Sequence, residues 1–368
     1  MKYPKEIKIL GAGISGLTAA INLAQYGYRV NVYEKNSDVG MRFYGDFQGL
    51  ENWSSNEDVL SSLKTMSVVA DFYHKPFYEG CFYGPSSNAQ VKSLKPIFYL
   101  VQRGKDKETL DYSLKKQALS LGVNIIFNTS LNYKDADIIA TGPQMSNIIA
   151  IGITFISNLE DTAMVVLDDA IAPKGYAYLL VSNQRATLAT VLFEKCNMGS
   201  QYLQKAIEKF KTIKNFELKN IKNFAGFGNF FLAGSAVREN KIFVGEAAGF
   251  QDYLFGFGIR YAITSGYLAS KSIIEKIDYN ILWQNEFKHK LQTSLSNRAL
   301  YELFGNTMYD FLVKKTKGCK DVRELWLKFY NPSLSRRLIY PFAFLASKSK
   351  NRIRESKDKN KSPHGRIP

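Results

Sequence analysis

The stretch "IKILGAGISGLTAAINLAQYGYRVNVYE", Ile7 to Glu34, limits this chain's fold more than any other. Ile7 to Leu10 reads as a buried strand and Leu17 to Gln25 as a helix with Gly27 as its stop. A second apolar strand, Val30 to Tyr33, ends at Glu34. Gly11, Gly13 and Gly16 form a G-x-G-x-x-G turn between strand and helix. Gly11 permits the tight turn, Gly13 lets a pyrophosphate approach the backbone, and Gly16 lets helix and strand pack closely. The helix N-terminus offers N–H groups to phosphates, and Glu34 suits ribose hydroxyls. A lone glycine turn says little, but strand, helix and terminal acid together predict a bound dinucleotide.

A second glycine-rich stretch, "VGEAAGFQDYLFGFGIRYAITSG", runs from Val244 to Gly266. A strand, Ile242 to Val244, leads into Gly245-Glu246-Ala247-Ala248-Gly249, and a helix follows Gly256-Phe257-Gly258. Small residues Ala262, Ser265, Gly266 and Ala269 lie near its packed face. An acid and a helix N-terminus arriving this late in the chain can close on the far end of an extended cofactor.

With both stretches in hand, the chain resembles the FAD-dependent superfamily that contains p-hydroxybenzoate hydroxylase, and within it the geranylgeranyl reductases. Those proteins carry G-D-A-A-G-F followed by G-x-G-I-x-x-A-x-x-S-G, matched here from Gly245 to Phe250 and from Gly256 through Ile259, Ala262, Ser265 and Gly266. The resemblance implies FAD as cofactor, with Glu246 on ribityl hydroxyls and the Gly256–Ile259 turn at the pyrimidine edge of the flavin, where negative charge develops on reduction. It also places Ile14, Ser15, Lys35, Arg42 and Gly142 along the cofactor. "YLVQRGKDKETLDYSLKKQALSLGVNIIFNTSL" is similar to the segment whose arginine reaches the cofactor, here Arg103. "ADIIATGP" resembles the returning strand and A-T-G turn, and "APKGYAYLLV" the P-G-G-Y-x-W-x-F-P strand of the reductases.

The departures are specific. Glu246 replaces the usual Asp, and one extra methylene still reaches a hydroxyl. Many geranylgeranyl reductases have Cys-Gly-Asp near the flavin; "GMRFYGDFQGLENW" has Tyr44-Gly45-Asp46, so no cysteine role carries over. "VGMRF" also resembles the G-G-R of amine oxidases and phytoene desaturases, although the segment from Gly245 onward fits the reductases better.

The expected fold is α/β. A discontinuous Rossmann-like FAD-binding domain (1–41, 100–143 and 241–275) combines with a substrate domain built on one antiparallel sheet (66–99 and 144–240). A helical region (276–346) and a disordered basic tail (347–368) complete the chain. The strand-rich segments 76–100 and 151–193 are both assigned to that sheet, which would cover the flavin and supply the cavity.

Other chemistries find little footing. Cys81, Cys196 and Cys319 are scattered and odd in number, His74, His289 and His364 have no ligand spacing, and no metal site is expected. Gly13-Ile14-Ser15-Gly16 is not a hydrolase elbow. The opening residues enter a strand at once, without the apolar run of a signal peptide, and nothing approaches the ~18 apolar residues that span a bilayer. A cytoplasmic location follows as the expectation. Of the formal charge of +16, about +12 lies between Val313 and Pro368, where 16 Lys and Arg face 4 Asp and Glu. Within it, "SRRLIYPFAFLASKSKNRIR" sets an apolar, aromatic patch between basic clusters. That pattern suits an anionic membrane surface, with the enzyme peripheral to it, while no nucleic-acid module accompanies the charge.

The implied activity is reduction of C=C bonds in an isoprenoid or other apolar substrate by hydride from flavin N5. Tyr44, Asp46 and Tyr178 are the candidate catalytic residues. No second G-x-G-x-x-G serves a separate nicotinamide domain, so NAD(P)H or a small electron carrier would reduce the flavin transiently. A flavin monooxygenase is the alternative, with no halogenase W-x-W-x-I-P, since Trp stands only at 53, 283 and 326. A non-catalytic FAD-binding protein is the second.

Overall fold

The strand Glu6–Leu10 pairs in parallel with Arg29–Tyr33 on one side and Ile138–Ile139 on the other, with Ile9 opposite both Val32 and Ile138. A parallel strand flanked this way is covered on both faces, which is why it reads as a nearly continuous apolar run. In this computed structural model, residues 5–143, 148–228 and 234–360 are described, with side chains as far as Ser347. The central sheet has six strands, in the order Val237–Arg238, Lys241–Phe243, Ile138–Ile139, Glu6–Leu10, Arg29–Tyr33 and Asn124–Ile126. All its pairings are parallel except the outermost hairpin at Val237–Phe243.

The first helix, Ile14–Gln25, is buried from Ile14 to Leu23. It packs against the helices Leu110–Ser120 and Ile259–Glu275 as well as the sheet. Each fully buried Leu or Ile there contributes about 1.5–3 kcal/mol by leaving water. Two of its three buried polar side chains bond to backbone carbonyls of the protein. Thr18 donates to Ile14 O, and Asn22 to Thr18 O and Met66 O. Gly27, at φ +79°, ends the helix with its N–H on Ala24 O, as a left-handed C′ glycine does.

A seven-stranded sheet runs in the order Lys219–Gly228, Ile148–Ile156, Arg185–Leu192, Tyr176–Ser182, Thr162–Val166, Glu79–Tyr83 and Asn88–Lys92. Two details differ from the sequence expectation. The pairing of Thr162–Val166 with Glu79–Tyr83 is parallel, Met164 opposite Cys81, because those strands come from separate passes of the chain with no hairpin between them. The segment 76–100 is also divided between two sheets. His74–Phe77 and Phe98–Gln102 join Phe47–Glu51 in a separate three-stranded antiparallel sheet.

Four longer helices close the chain: His289–Phe304, Asn306–Thr316, Val322–Tyr330 and Leu334–Asn360. The last continues past Ser347, where a disordered tail is the expectation. With Ile353 as its one apolar residue that stretch has no core to join, but it is otherwise built of Lys, Arg, Glu, Asp, Ser and Asn with no glycine or proline before residue 360, and local propensity carries the helix on. Residues 361–368 of the expected tail lie outside the described residues. Among the described residues, no helix is long and apolar enough to cross a membrane, and no group of three or more His, Cys, Asp or Glu is placed to hold a metal.

Candidate functional site

The two glycine stretches meet at Ser15. A Cβ on Gly245 would stand 2.8 Å from Ser15 Oγ, and one on Gly266 would stand 2.2 Å from Ser15 O. Ser265 Oγ accepts the Gly245 N–H at 2.9 Å. Backbones this close have no room for side chains, so the late strand-turn-helix is fitted against the first turn of the first helix. Gly11 and Gly16 are constrained in the same way: their Cβ atoms would lie 2.4 Å from Ala140 O and 2.1 Å from Gly11 O.

Gly13 is different. Its Cβ would meet nothing of the protein nearer than Ala140 O at 4.0 Å, and as N-cap of the first helix it brings no side-chain cap. Glu34 closes the turn. One carboxylate oxygen accepts from Ala12 N and the other from Asn36 N and Nδ2, which leaves one acceptor site, on the first oxygen, open to a further donor. Lys35 beside it is exposed.

Arg42, Gly142 and Glu246 also converge. Arg42 reaches Glu246 at 3.4 Å and Phe227 O at 3.0 Å, and a Cβ on Gly142 would lie 3.4 Å from the same guanidinium. Glu246 is largely buried yet keeps 22% of its side chain exposed. Burial pushes its carboxyl above the ordinary range, with the charges of Arg42 and Arg103 pulling the other way.

Arg103 spends its guanidinium on the protein. It makes a two-pronged ion pair with Asp111 (2.8 and 2.9 Å), reaches Gln48 Oε1 at 3.2 Å, and lies 3.9 Å over the Phe43 ring. Gln48 in turn donates to Asp46 Oδ2 at 2.9 Å, and the Tyr44 N–H to Oδ1 at 3.0 Å. Asp46 is thus held at the entry to strand Phe47–Glu51 by a relay that begins at Asp111. Burial raises its carboxyl pKa against the opposing effects of these hydrogen bonds and of Arg103. Burial, then the charge of Asp46, holds the Tyr178 hydroxyl well above the usual tyrosine range. Tyr44 is different in kind, 55% exposed as a residue.

The sign of the Asp46 shift gives a prediction. An acid whose folded pKa is raised favours folding while it is protonated, so its contribution is present below the unfolded value and is lost as pH rises through the folded one. The stability of the native protein relative to Asp46→Asn is therefore expected to fall as pH rises above about 4, the ordinary carboxyl value. Thermal melts of the two proteins across that range check it, and parallel curves would remove Asp46 from the account.

Sequence reasoning expects a cavity supplied by the sheet but names few of the residues that wall it. Between the seven-stranded sheet, the three-stranded sheet and the C-terminal helices lies a cavity of about 100 Å³ with an almost wholly apolar wall, including Trp53, Phe98, Tyr176, Phe255, Phe257 and Trp326. Phe255 and Phe257 belong to the turn that leads through Gly258 into the helix Ile259–Glu275, so the cavity borders the expected flavin end of the site. Trp53 meets Phe257 edge-on at 4.8 Å. Asp252 shapes the turn: it accepts from Leu254 N, Phe255 N, Tyr330 Oη and Ser294 Oγ, and burial raises its pKa. Arg298 ties Leu254 O to Lys174 O, and Tyr176 Oη donates to Phe255 O at 2.6 Å, so turn and sheet are joined into one wall. The available signal was "FQDYLFGF", four aromatics and one acid between two glycines.

Comparison with known proteins agrees with this geometry. Residues 9–49 match the model of the NAD(P)-binding Rossmann-like domain. The chain is similar to 4,4'-diaponeurosporene oxygenase of Staphylococcus haemolyticus, at 38% identity over 65 residues, 18% of this chain and 12% of that protein. It is also similar to 1-hydroxycarotenoid 3,4-desaturase of a Flavobacterium species, at 37% over 73 residues, 20% and 14% respectively. The chain thus spans well under two thirds of these relatives. Among solved structures, a geranylgeranyl bacteriochlorophyll reductase-like protein from Thermoplasma acidophilum superposes with TM-score 0.69 at 18% identity, covering 88% of this chain and 96% of that one. A flavin-dependent brominase gives 0.63 at 13%, covering 94% and 98%.

The chain accordingly has a Rossmann-like dinucleotide-binding module within a mixed α/β fold. More particularly, that fold is shared nearly end to end with the reductase-like protein and the brominase, while the likeness to the carotenoid enzymes is confined to a short segment.

Proposed function

We propose that this protein is an FAD-dependent oxidoreductase that reduces a carbon–carbon double bond in an apolar, isoprenoid-like substrate. The observation that carries the reading is the line from Gly13, bare against open space, to the Gly256–Gly258 turn, whose phenylalanines wall an almost wholly apolar cavity. The residues fit the cofactor. The first helix N-terminus and Gly13 would receive the pyrophosphate, Glu34 the ribose, Glu246 with Arg42 the ribityl chain, and the N-terminus of Ile259–Glu275 the ring edge. When bound, FAD supplies two-electron redox chemistry, with NAD(P)H or a small electron carrier as reductant.

The chain's own residues would do the rest. The aromatic wall excludes water and orients an unsaturated group, and Asp46, whose raised pKa favours its protonated form, is the candidate to hold the proton that reduction requires. The cavity, about 100 Å³, is smaller than the roughly 150 Å³ apolar cavity that holds benzene, so it admits at most one small apolar group, such as the end of a prenyl chain. A longer chain must extend out of it. The names of the similar carotenoid desaturase and oxygenase support an apolar, unsaturated substrate.

The test is an anaerobic titration of FAD-reconstituted protein. NADPH, NADH or dithionite is expected to bleach the flavin absorbance, and a short prenyl lipid to restore it without oxygen. Trp326→Ala is expected to slow the restoration at least about tenfold, by loosening the wall that positions the substrate. Restoration by oxygen alone would move the reading to a monooxygenase, and absence of bound flavin would overturn it.

A further inference from the structure

The terminal helix has two faces, and only one is used by the fold. On the inner face Ala343 is buried, Tyr340 and Phe344 pack on the core, and Arg336 bonds Asn297 Oδ1 at 2.9 Å while its carbonyl accepts from Ser296 Oγ at 3.0 Å. These contacts seat it on the helix His289–Phe304. The outer face carries Leu334, Leu338, Phe342 and Leu345, exposed by 75, 66, 76 and 64%. At 3.6 residues per turn, spacings of four, four and three place them within an arc of about 80°. Four large apolar residues in one continuous exposed stripe depart from the scattered single exposures that need no explanation.

The charge around the stripe selects what covers it. Arg337 is exposed beside it, and the helix continues through Lys348, Lys350, Arg352, Arg354, Lys357 and Lys359, against Glu355 and Asp358 alone. A second copy of a chain with net charge +16 would bring two such segments together and be repelled. A surface of anionic lipid is attracted by the same charge and receives the apolar side chains. The helix is too polar to cross a bilayer, so it would lie in the surface plane.

We infer that the stripe of Leu334, Leu338, Phe342 and Leu345 docks the protein on an anionic lipid surface, with the helix in plane and the inner face still on the protein. This rests on exposure and charge alone, independently of the cofactor and the reaction. The test is sedimentation of the full chain with vesicles of phosphatidylcholine, or of an equal mixture of phosphatidylcholine and phosphatidylglycerol. The native protein is expected to pellet with the mixed vesicles, much less with neutral ones, and to be released by salt. Leu338→Glu/Phe342→Glu, both on the exposed face, is expected to keep the native melting temperature and to lower partition at least about tenfold. Native protein that stays in the supernatant with both vesicles, or a variant that pellets equally well, overturns the inference. A native dimer that the variant converts to monomer, with neither binding vesicles, assigns the stripe to a second copy instead.

Discussion

Gly13→Ala is expected to fold and melt like the native apoprotein yet lose FAD, whereas Gly16→Ala is expected to lose both stability and FAD. The two glycines stand three residues apart in one motif, and the structure separates their reasons. A Cβ on Gly16 would be 2.1 Å from Gly11 O and 3.1 Å from the Ala140 Cβ. Neither neighbour can rotate away, so helix and strand must part. Overpacking of this kind costs about 1–3 kcal/mol or more, a large share of a marginal total. A Cβ on Gly13 touches nothing within 4.0 Å, and alanine for glycine at an N-cap costs no more than about 1 kcal/mol. It would project where a phosphate must approach, so FAD affinity is expected to fall at least about a hundredfold, or ~2.7 kcal/mol. Thermal melts of the apoproteins and titration of FAD fluorescence distinguish the two. A Gly13→Ala protein that binds FAD at native affinity would remove the pyrophosphate from this turn.

That contrast shows how far the sequence reads by itself. Gly11, Gly13 and Gly16 were legible because strand, turn, helix and acid lie within thirty residues, where local chemistry determines structure. The late segment was legible for the same reason, from the strand before Gly245 to the helix after Gly258. That Ser15 is the point at which Gly245 and Gly266 close on the first helix was hidden, since the contacts join residues 230 and 251 apart in the chain. The division of segment 76–100 between two sheets was hidden as well. Alternating apolar residues mark strands but do not say with which partner each will pair. The cavity needed Trp53, Phe98, Tyr176, Phe257 and Trp326 from five separate segments, and no period in the sequence gathers them.

The Arg103–Asp111 pair is expected to show the largest stability effect among the charged residues. Both side chains are buried, at 8 and 3% exposure, and the pair carries two hydrogen bonds, while Asp111 also accepts from Gly104 N at 3.1 Å. Asp111→Ala would strand a guanidinium that cannot release its proton, at a cost of about 3–5 kcal/mol. Replacing both as Arg103→Met/Asp111→Leu is expected to cost less than the sum of the single changes, because no charge is left alone. Thermal melts of the three variants form the cycle, and strict additivity would mean that the pair does not act as a unit. A second readout distinguishes a role beyond stability. Arg103 lowers the Asp46 pKa by its charge and orients the Gln48 that donates to it, so Arg103→Met removes both restraints on a carboxyl that burial already raises. Asp46 then keeps its proton to higher pH. Any step that requires the protonated acid shifts its limb upward on the pH axis, and an unmoved limb in a folded Arg103→Met protein would confine the pair to holding the fold.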